Sequence, residues 1–175
     1  MNIPLTPLRF LRYSSQQFPG RTAVVCGDQR FTYAQFSDRT ARQAGVLRSL
    51  GVHSGERVAF LGANCHRLLE GYYGVLEAGG VLLPLNIRLA SQELAYILND
   101  SEATVLLFEE QFIPLVESFR KELHSVKSFV PLDFKSNQPW MTTKNYEEML
   151  AAAAPYRADV MQVGVFIHLR LIVPT

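Results

Sequence analysis

Most of the features that would give this chain an obvious chemistry are missing from it. Cysteine is nearly absent: Cys26 and Cys65 stand alone, and neither has a second Cys or a His at metal-ligand spacing. That excludes a disulfide-stapled scaffold and reads as two reduced thiols. Neither sign of charge is in excess, with 17 Lys+Arg against 16 Asp+Glu and a net charge of +1, so no field marks a nucleic-acid or acidic-membrane partner. No apolar run approaches the roughly 18 residues that a bilayer span needs. The phosphate-loop pattern GxxxxGK[ST], a GxGxxG after a strand and the GxSxG elbow are all missing. Gly71-Tyr-Tyr-Gly74 falls inside a helical stretch and cradles no phosphate. The four histidines (His53, His66, His124, His168) are scattered and read as surface or helix-end residues. Glu109-Glu110, at a strand–helix junction, reads as the start of a helix. No catalytic and no metal-binding residue is assigned.

What is present is enough for a core: 175 residues, 48% of them hydrophobic, with eleven Phe. The first acid is Asp28, and residues 1–27 with Arg9, Arg12, Arg21, Ser14 and Ser15 have a transit-peptide composition. The other reading, which Leu8, Leu11 and Phe18 favour, is a first surface helix from about Leu5 to Phe18, stopped by Pro19-Gly20. Thr22–Cys26, Gly27-Asp28 and Gln29–Thr32 predict a β-hairpin. Thr32-Tyr-Ala-Gln35 fits a capping box for a helix whose buried face is Phe36, Thr40, Ala44 and Leu47, closed by Gly51 and Val52.

Apolar runs then begin at Val58, Val81, Ala103 and Val126, separated by helical segments over 65–78, 91–99 and 110–123. Such alternation predicts βα units, a mostly parallel sheet flanked by helices and right-handed crossovers: an α/β fold. Asn64 is the expected N-cap of the 65–78 helix, with Leu68, Leu69, Tyr72, Val75 and Leu76 buried and Gly71 and Gly74 allowing close approach. Ser91 is the expected cap of the 91–99 helix. Residues 133–140 read as loop and 145–154 as a short helix. Met161–Thr175 alternates Val163, Val165, Ile167, Leu169, Leu171 and Val173, a strand pattern without an acid.

Several stretches, taken in order, resemble the start of the acyl-activating (AMP-binding, acyl-CoA synthetase-like) enzymes. They are Phe18-Pro-x3-Ala23-Val, Phe31-Thr-Tyr33-Ala-Gln-Phe, Leu50-Gly-Val-x-x-Gly-Glu-Arg-Val58, Gly74-Val-Leu-Glu-Ala-Gly79-Gly-Val-Leu-Leu-Pro84-Leu-Asn86-Ile-Arg88-Leu and Glu93-Leu-Ala-Tyr-Ile-Leu-Asn99-Asp-Ser. The resemblance covers about residues 5–132. It implies an N-terminal portion of the acyl-adenylate-forming fold, truncated. It also implies an ATP-dependent carboxylic acid–CoA ligase, which joins a small carboxylic acid to ATP as an acyl-adenylate and passes the acyl group to coenzyme A. ATP, Mg2+ and CoA serve the full-length family, whose small mobile C-terminal domain brings a lysine to the first half-reaction.

The sequence departs from that family near its end. The Ser/Thr/Gly-rich phosphate loop is expected after a strand near residue 168, but Val165-Phe-Ile-His168 runs into Leu169-Arg-Leu-Ile-Val-Pro-Thr175. Codons for Leu-Arg-Leu-Ile can encode Ser-Gly-Ser-Ser in another frame, so a frameshift near His168 is one expectation; a natural or alternative terminus is the other. The expected organisation is therefore 1–160 as a partial N-terminal domain and 161–175 as an apolar tail unlike the family. The chain is expected to be inactive alone and to bind none of ATP, Mg2+ or CoA well. The competing expectation is a non-enzymatic interaction or binding module, associating with itself or with an intact paralogue. The expected location is cytoplasmic, or an organellar matrix if residues 1–20 act as a transit peptide. One position carries over from the family: Arg88, in the loop after a parallel strand, as a contact for the nucleotide phosphates of CoA. Asn86 is expected to fix that turn, and Cys65 to pack at a helix start.

Overall fold

The structure, a computed structural model, describes residues 6–134 and 138–159. Pro7 opens α1 (Pro7–Gln17), a position where its missing N–H leaves no bond unmade. Leu8 and Leu11 are buried against the rest of the fold. Phe18, expected on the same face, lies past the helix end and is 43% exposed. The hairpin forms as read, β1 (Thr22–Cys26) antiparallel to β2 (Gln29–Thr32) around Gly27 at φ 58°. Thr32 then caps α2 (Tyr33–Ser49): its Oγ1 accepts the Gln35 N–H at 3.2 Å, and its own N–H donates to Gln35 Oε1 at 2.8 Å. Gly51, at φ 86°, ends the helix in the left-handed region, and the Val52 N–H donates to the Leu47 carbonyl.

Four parallel strands follow: β3 (Arg57–Leu61), β4 (Val81–Pro84), β5 (Ala103–Phe108) and β6 (Ser128–Pro131), ordered β4-β3-β5-β6. Their crossovers are α3 (His66–Glu77), α4 (Ser91–Asp100) and α5 (Ile113–Phe119), the last flanked by two short 3-10 turns. A further helix, α6 (Tyr146–Ala152), is capped by Asn145, whose side chain accepts the Glu148 N–H at 2.9 Å. Alternate residues of each strand serve opposite faces, as the pleat demands. Val58, Phe60, Val105 and Leu107 join a core with Leu47, Val75, Tyr146 and Leu150 from α2, α3 and α6. Ala59, Leu61, Leu106 and Phe108 join a second core with Leu94, Leu98, Val116 and Phe119 from α4 and α5. Each such Leu or Phe contributes roughly 1.5–3 kcal/mol by leaving water, so the sheet is held from both sides. A third, smaller cluster of Leu11, Val24 and Phe36 fastens α1 and the hairpin to α2.

Four local expectations need correction. Cys65, not Asn64, is the N-cap of α3, and its side chain makes no capping bond. Ala90 occupies the N-cap of α4 and Ser91 is its first helical residue; the Glu93 carboxylate reaches back to the Ala90 N–H at 2.8 Å. The last strand begins at Ser128 rather than Val126, where pairing with Val105 starts. The largest correction concerns α3. Leu68 and Val75 are buried, but Leu69 and Tyr72 are 38% and 48% exposed, whereas His66, Glu70 and Glu77 are buried. This helix packs on α2 and the hairpin as well as on the sheet; Glu70 meets Arg39 of α2, and Glu77 meets Arg12 of α1. The reading of Met161–Thr175 as a strand lies outside the described residues.

Candidate functional site

In an open parallel sheet, ligands gather beyond the carboxyl ends of the strands, where neighbouring crossovers leave in opposite directions. Here β3 leads outward to β4 and β5 leads the other way to β6, so the crevice lies between residues 62–65 and Glu109. The chain's own carboxylate fills it. Glu109 Oε1 accepts the Ala63 N–H at 3.1 Å, and Oε2 accepts from Gln111 Nε2 at 2.7 Å. A Cβ at Gly62 would fall 3.0 Å from Glu109 Cδ, so glycine is what lets the carboxylate close in. Glu110 opens the 3-10 turn before α5, as its position predicts, while Glu109 ties two loops together.

Beside this crevice, the loop after β4 is built by backbone bonds. The Leu85 N–H donates to the Phe60 carbonyl at 2.9 Å and the Leu89 N–H to the Asn86 carbonyl at 3.2 Å. Asn86 fixes the turn as expected: its Oδ1 accepts the Arg88 N–H at 3.0 Å. The Arg88 side chain is exposed and makes no hydrogen bond or ion pair with any described residue.

The polar centre that sequence reasoning missed lies against the hairpin. Arg39, on α2, forks to both Glu70 and Glu147; Nη1 and Nη2 reach the Glu147 oxygens at 2.9 and 3.0 Å. Tyr146 donates its hydroxyl to Glu70 Oε2 at 2.6 Å, and Arg67 Nε donates to Glu147 Oε1 at 3.1 Å. Glu70 is fully buried, so two donors satisfying its charge are a condition of its being there. Burial and the neighbouring Glu70 push the Tyr146 hydroxyl well above its ordinary value. Burial would also raise the Glu147 carboxyl, but His66, Arg39 and Arg67 outweigh it and hold it down to about 2. Interaction with Glu147, opposed by burial, raises His66. The one sign of this centre in the sequence is that His66, Glu70 and Glu77 share a helical face.

Arg30, Phe31, Arg39, His66, Arg67 and Glu147 line an open cleft of about 380 Å³. Cys26, at the end of β1, has its thiol lowered by the His66 side chain and backbone N–H, whereas burial pushes the Cys65 thiol up, as suits a packing role. Among the described residues no three His, Cys, Asp or Glu side chains could hold a common metal ion, and no helix is long and apolar enough to cross a membrane.

Comparison with known proteins bears on the whole fold. The family model for "AMP-binding enzyme" matches residues 11–162. A long-chain-fatty-acid–CoA ligase of Thermus thermophilus is 46% identical over 125 residues, 71% of this chain and 23% of that protein. The 4-hydroxybutyrate–CoA ligase 2 of Metallosphaera sedula is 39% identical over 109 residues, 62% of this chain and 20% of its own length. The crystal structure of the N-terminal domain of FACL13 from Mycobacterium tuberculosis superposes with a TM-score of 0.74 at 29% identity, covering 86% of this chain and 36% of that one. The chain thus spans between a fifth and a quarter of the length of these two curated relatives.

Proposed function

The chain belongs to the AMP-binding enzyme family, and from that premise we propose that it is the N-terminal part of an ATP-dependent carboxylic acid–CoA ligase. The observation that carries this is the family match across residues 11–162, together with relatives that are CoA ligases. The reaction would join a carboxylate to ATP as an acyl-adenylate and then transfer the acyl group to the CoA thiol. ATP and Mg2+ supply the activation by making AMP the leaving group; no described residue is assigned to that step. In this reading residues 1–160 form a partial N-terminal domain, with 161–175 outside it, and the chain is inactive alone. Relatives named for a long-chain fatty acid and for 4-hydroxybutyrate leave the acid open. ATP–pyrophosphate exchange with a panel of carboxylic acids tests the proposal. No exchange is expected; measurable exchange would overturn the claim of inactivity.

Arg88 is the residue we assign to the coenzyme. Its support is an exposed guanidinium, paired with no described residue, on a loop whose backbone is already fixed by Asn86 and Phe60. A guanidinium fork suits a phosphate monoester such as the 3′-phosphate of CoA. Titration of the chain with CoA and with dephospho-CoA, followed by NMR shifts of the 85–90 loop, should show weak binding that prefers CoA. Arg88→Ala should abolish the preference. Equal response to both ligands in the unsubstituted chain sinks the assignment.

A further inference from the structure

The cleft beside the hairpin is lined by more hydrogen-bond donors than the fold uses. Arg30, Arg39, His66 and Arg67 stand round it with Phe31, against a single carboxylate, Glu147. Glu147 accepts from Arg39 at 2.9 and 3.0 Å and from Arg67 Nε at 3.1 Å, while Arg39 also bonds Glu70 through Nε and Nη2. That settles Arg39 and leaves its neighbours short of acceptors. The Nη groups of Arg67 make no hydrogen bond with any described residue; Asp133 Oδ2 lies 4.0 Å from Nη1. Arg30 is exposed, and among the described residues its guanidinium meets only the Asp28 carbonyl, at 3.5 Å. His66 is the most deeply buried of the lining residues, at 5% exposure, and neither ring nitrogen has a hydrogen-bond partner among the described residues. Glu147 Oε1 stands 3.8 Å from its Nε2, too far for one. A buried polar ring without partners is costly, and the cost falls when a ligand supplies what the chain does not.

The cleft is also held ready. Phe31 packs against the Arg39 guanidinium, 5.0 Å from its ring centroid, and against the His66 ring, 5.2 Å between centroids. Cations fixed in this way lose little freedom when an anion arrives. The volume, about 380 Å³, falls in the roughly 300–1,000 Å³ range of small-molecule sites. A carboxylate would bring two acceptor oxygens to this lining. A phosphoryl group brings at least three, enough to meet Arg30, the Nη groups of Arg67 and His66 together. We propose that this cleft binds a phosphoryl group, free or as a small ester, held by Arg30 and Arg67 with His66 as a further partner. The site uses no residue of the Arg88 loop and stands apart from the acid–CoA ligase reading.

NMR titration of the full chain with inorganic phosphate and with phenyl phosphate, at constant ionic strength in chloride, tests this. Saturable shifts are expected at the amides of residues 29–31 and 66–67 and at the His66 ring, with half-saturation on the order of 1 mM. Arg30→Ala should weaken binding at least about tenfold. Arg21→Ala, which removes the same charge from an exposed position outside the cleft, should leave it unchanged. Glu147→Gln should tighten binding, because its carboxylate no longer competes for Arg39 and Arg67. Tighter binding of phenyl phosphate identifies an ester as the ligand, and equal binding of the two identifies the free ion; either supports the site. Absence of saturable shifts at these residues overturns the proposal, as does a loss in Arg30→Ala no greater than in Arg21→Ala, or a folded Glu147→Gln variant that binds no more tightly. If Glu147→Gln does not fold, the comparison of Arg30→Ala with Arg21→Ala decides alone.

Discussion

Glu70 contributes no exposed surface, so its charge survives only through Arg39 and Tyr146. Replacing Arg39 with Met should cost about 3–5 kcal/mol, because it strands a carboxylate inside the protein rather than merely deleting a contact. Replacing Glu70 with Leu in the same molecule should recover much of that loss. A double-mutant cycle by urea unfolding measures the recovery; additive losses would show that the pair is not coupled. Glu147 governs the response to acid. Its folded-state value, about 2 against an ordinary 4.5, is depressed, so its contribution is complete above about pH 4.5 and is lost as pH falls toward 2. With the carboxylate 37% exposed, solvent screening reduces this to on the order of 1 kcal/mol. Glu147→Gln should flatten the stability–pH curve between pH 5 and 2, read from urea midpoints at each pH.

At the scale of elements, the crossing of α2 on α3 depends on one missing methyl. A Cβ on Gly74 would come within 2.9 Å of Gln43 Cβ and collide with its amide. Gly74→Ala should therefore destabilise by about 1–3 kcal/mol despite the better helix propensity of alanine, whereas Gly20→Ala, which meets nothing within 4 Å, should be near neutral. Thermal melts of the two variants check this contrast. The hairpin, the Thr32–Gln35 box and the four βα strands were legible in the sequence because each depends on residues a few positions apart; at Gly74 the small residue was legible, but not Gln43, the partner 31 positions away that it admits. The inward face of α3 was not. Glu70 looks like a surface residue until Arg39, 31 positions before it, and Tyr146, 76 after it, arrive to pair with it. Hydrophobic periodicity weighs Leu69 and Tyr72 above Glu70, and only long-range partners reverse that order. The same limit hid the cleft lined by Phe31, His66 and Glu147, while the Asn86 turn, made within three residues, was readable beforehand.

For the molecule as a whole, the segment after α6 acts as a strap. The Tyr156 N–H donates to the Ala41 carbonyl at 2.8 Å, Arg42 Nη1 reaches the Ala153 carbonyl at 2.9 Å, and Arg157 Nη2 reaches Ser37 Oγ at 3.0 Å. Further along, the Ala158 N–H donates to Glu77 Oε1 at 2.7 Å, and Arg12 bonds both Glu77 and the Ala158 carbonyl. Residues 153–158 thus join α1, α2 and α3 without belonging to any helix or strand. Glu77 is nearly fully buried, so removing the strap leaves its carboxylate with Arg12 alone. A chain cut after residue 160 keeps every one of these bonds and serves as the reference. A chain cut after residue 152 loses them together with half the partners of Glu77, a cost of roughly 2–4 kcal/mol if each bond is worth about 1 kcal/mol and some overlap. At about 2–4 °C per kcal/mol for a chain of this size, its melting temperature should fall by roughly 5–15 °C. Should the two truncations melt together, the strap is decoration, and α1, α2 and α3 are held by their apolar faces alone.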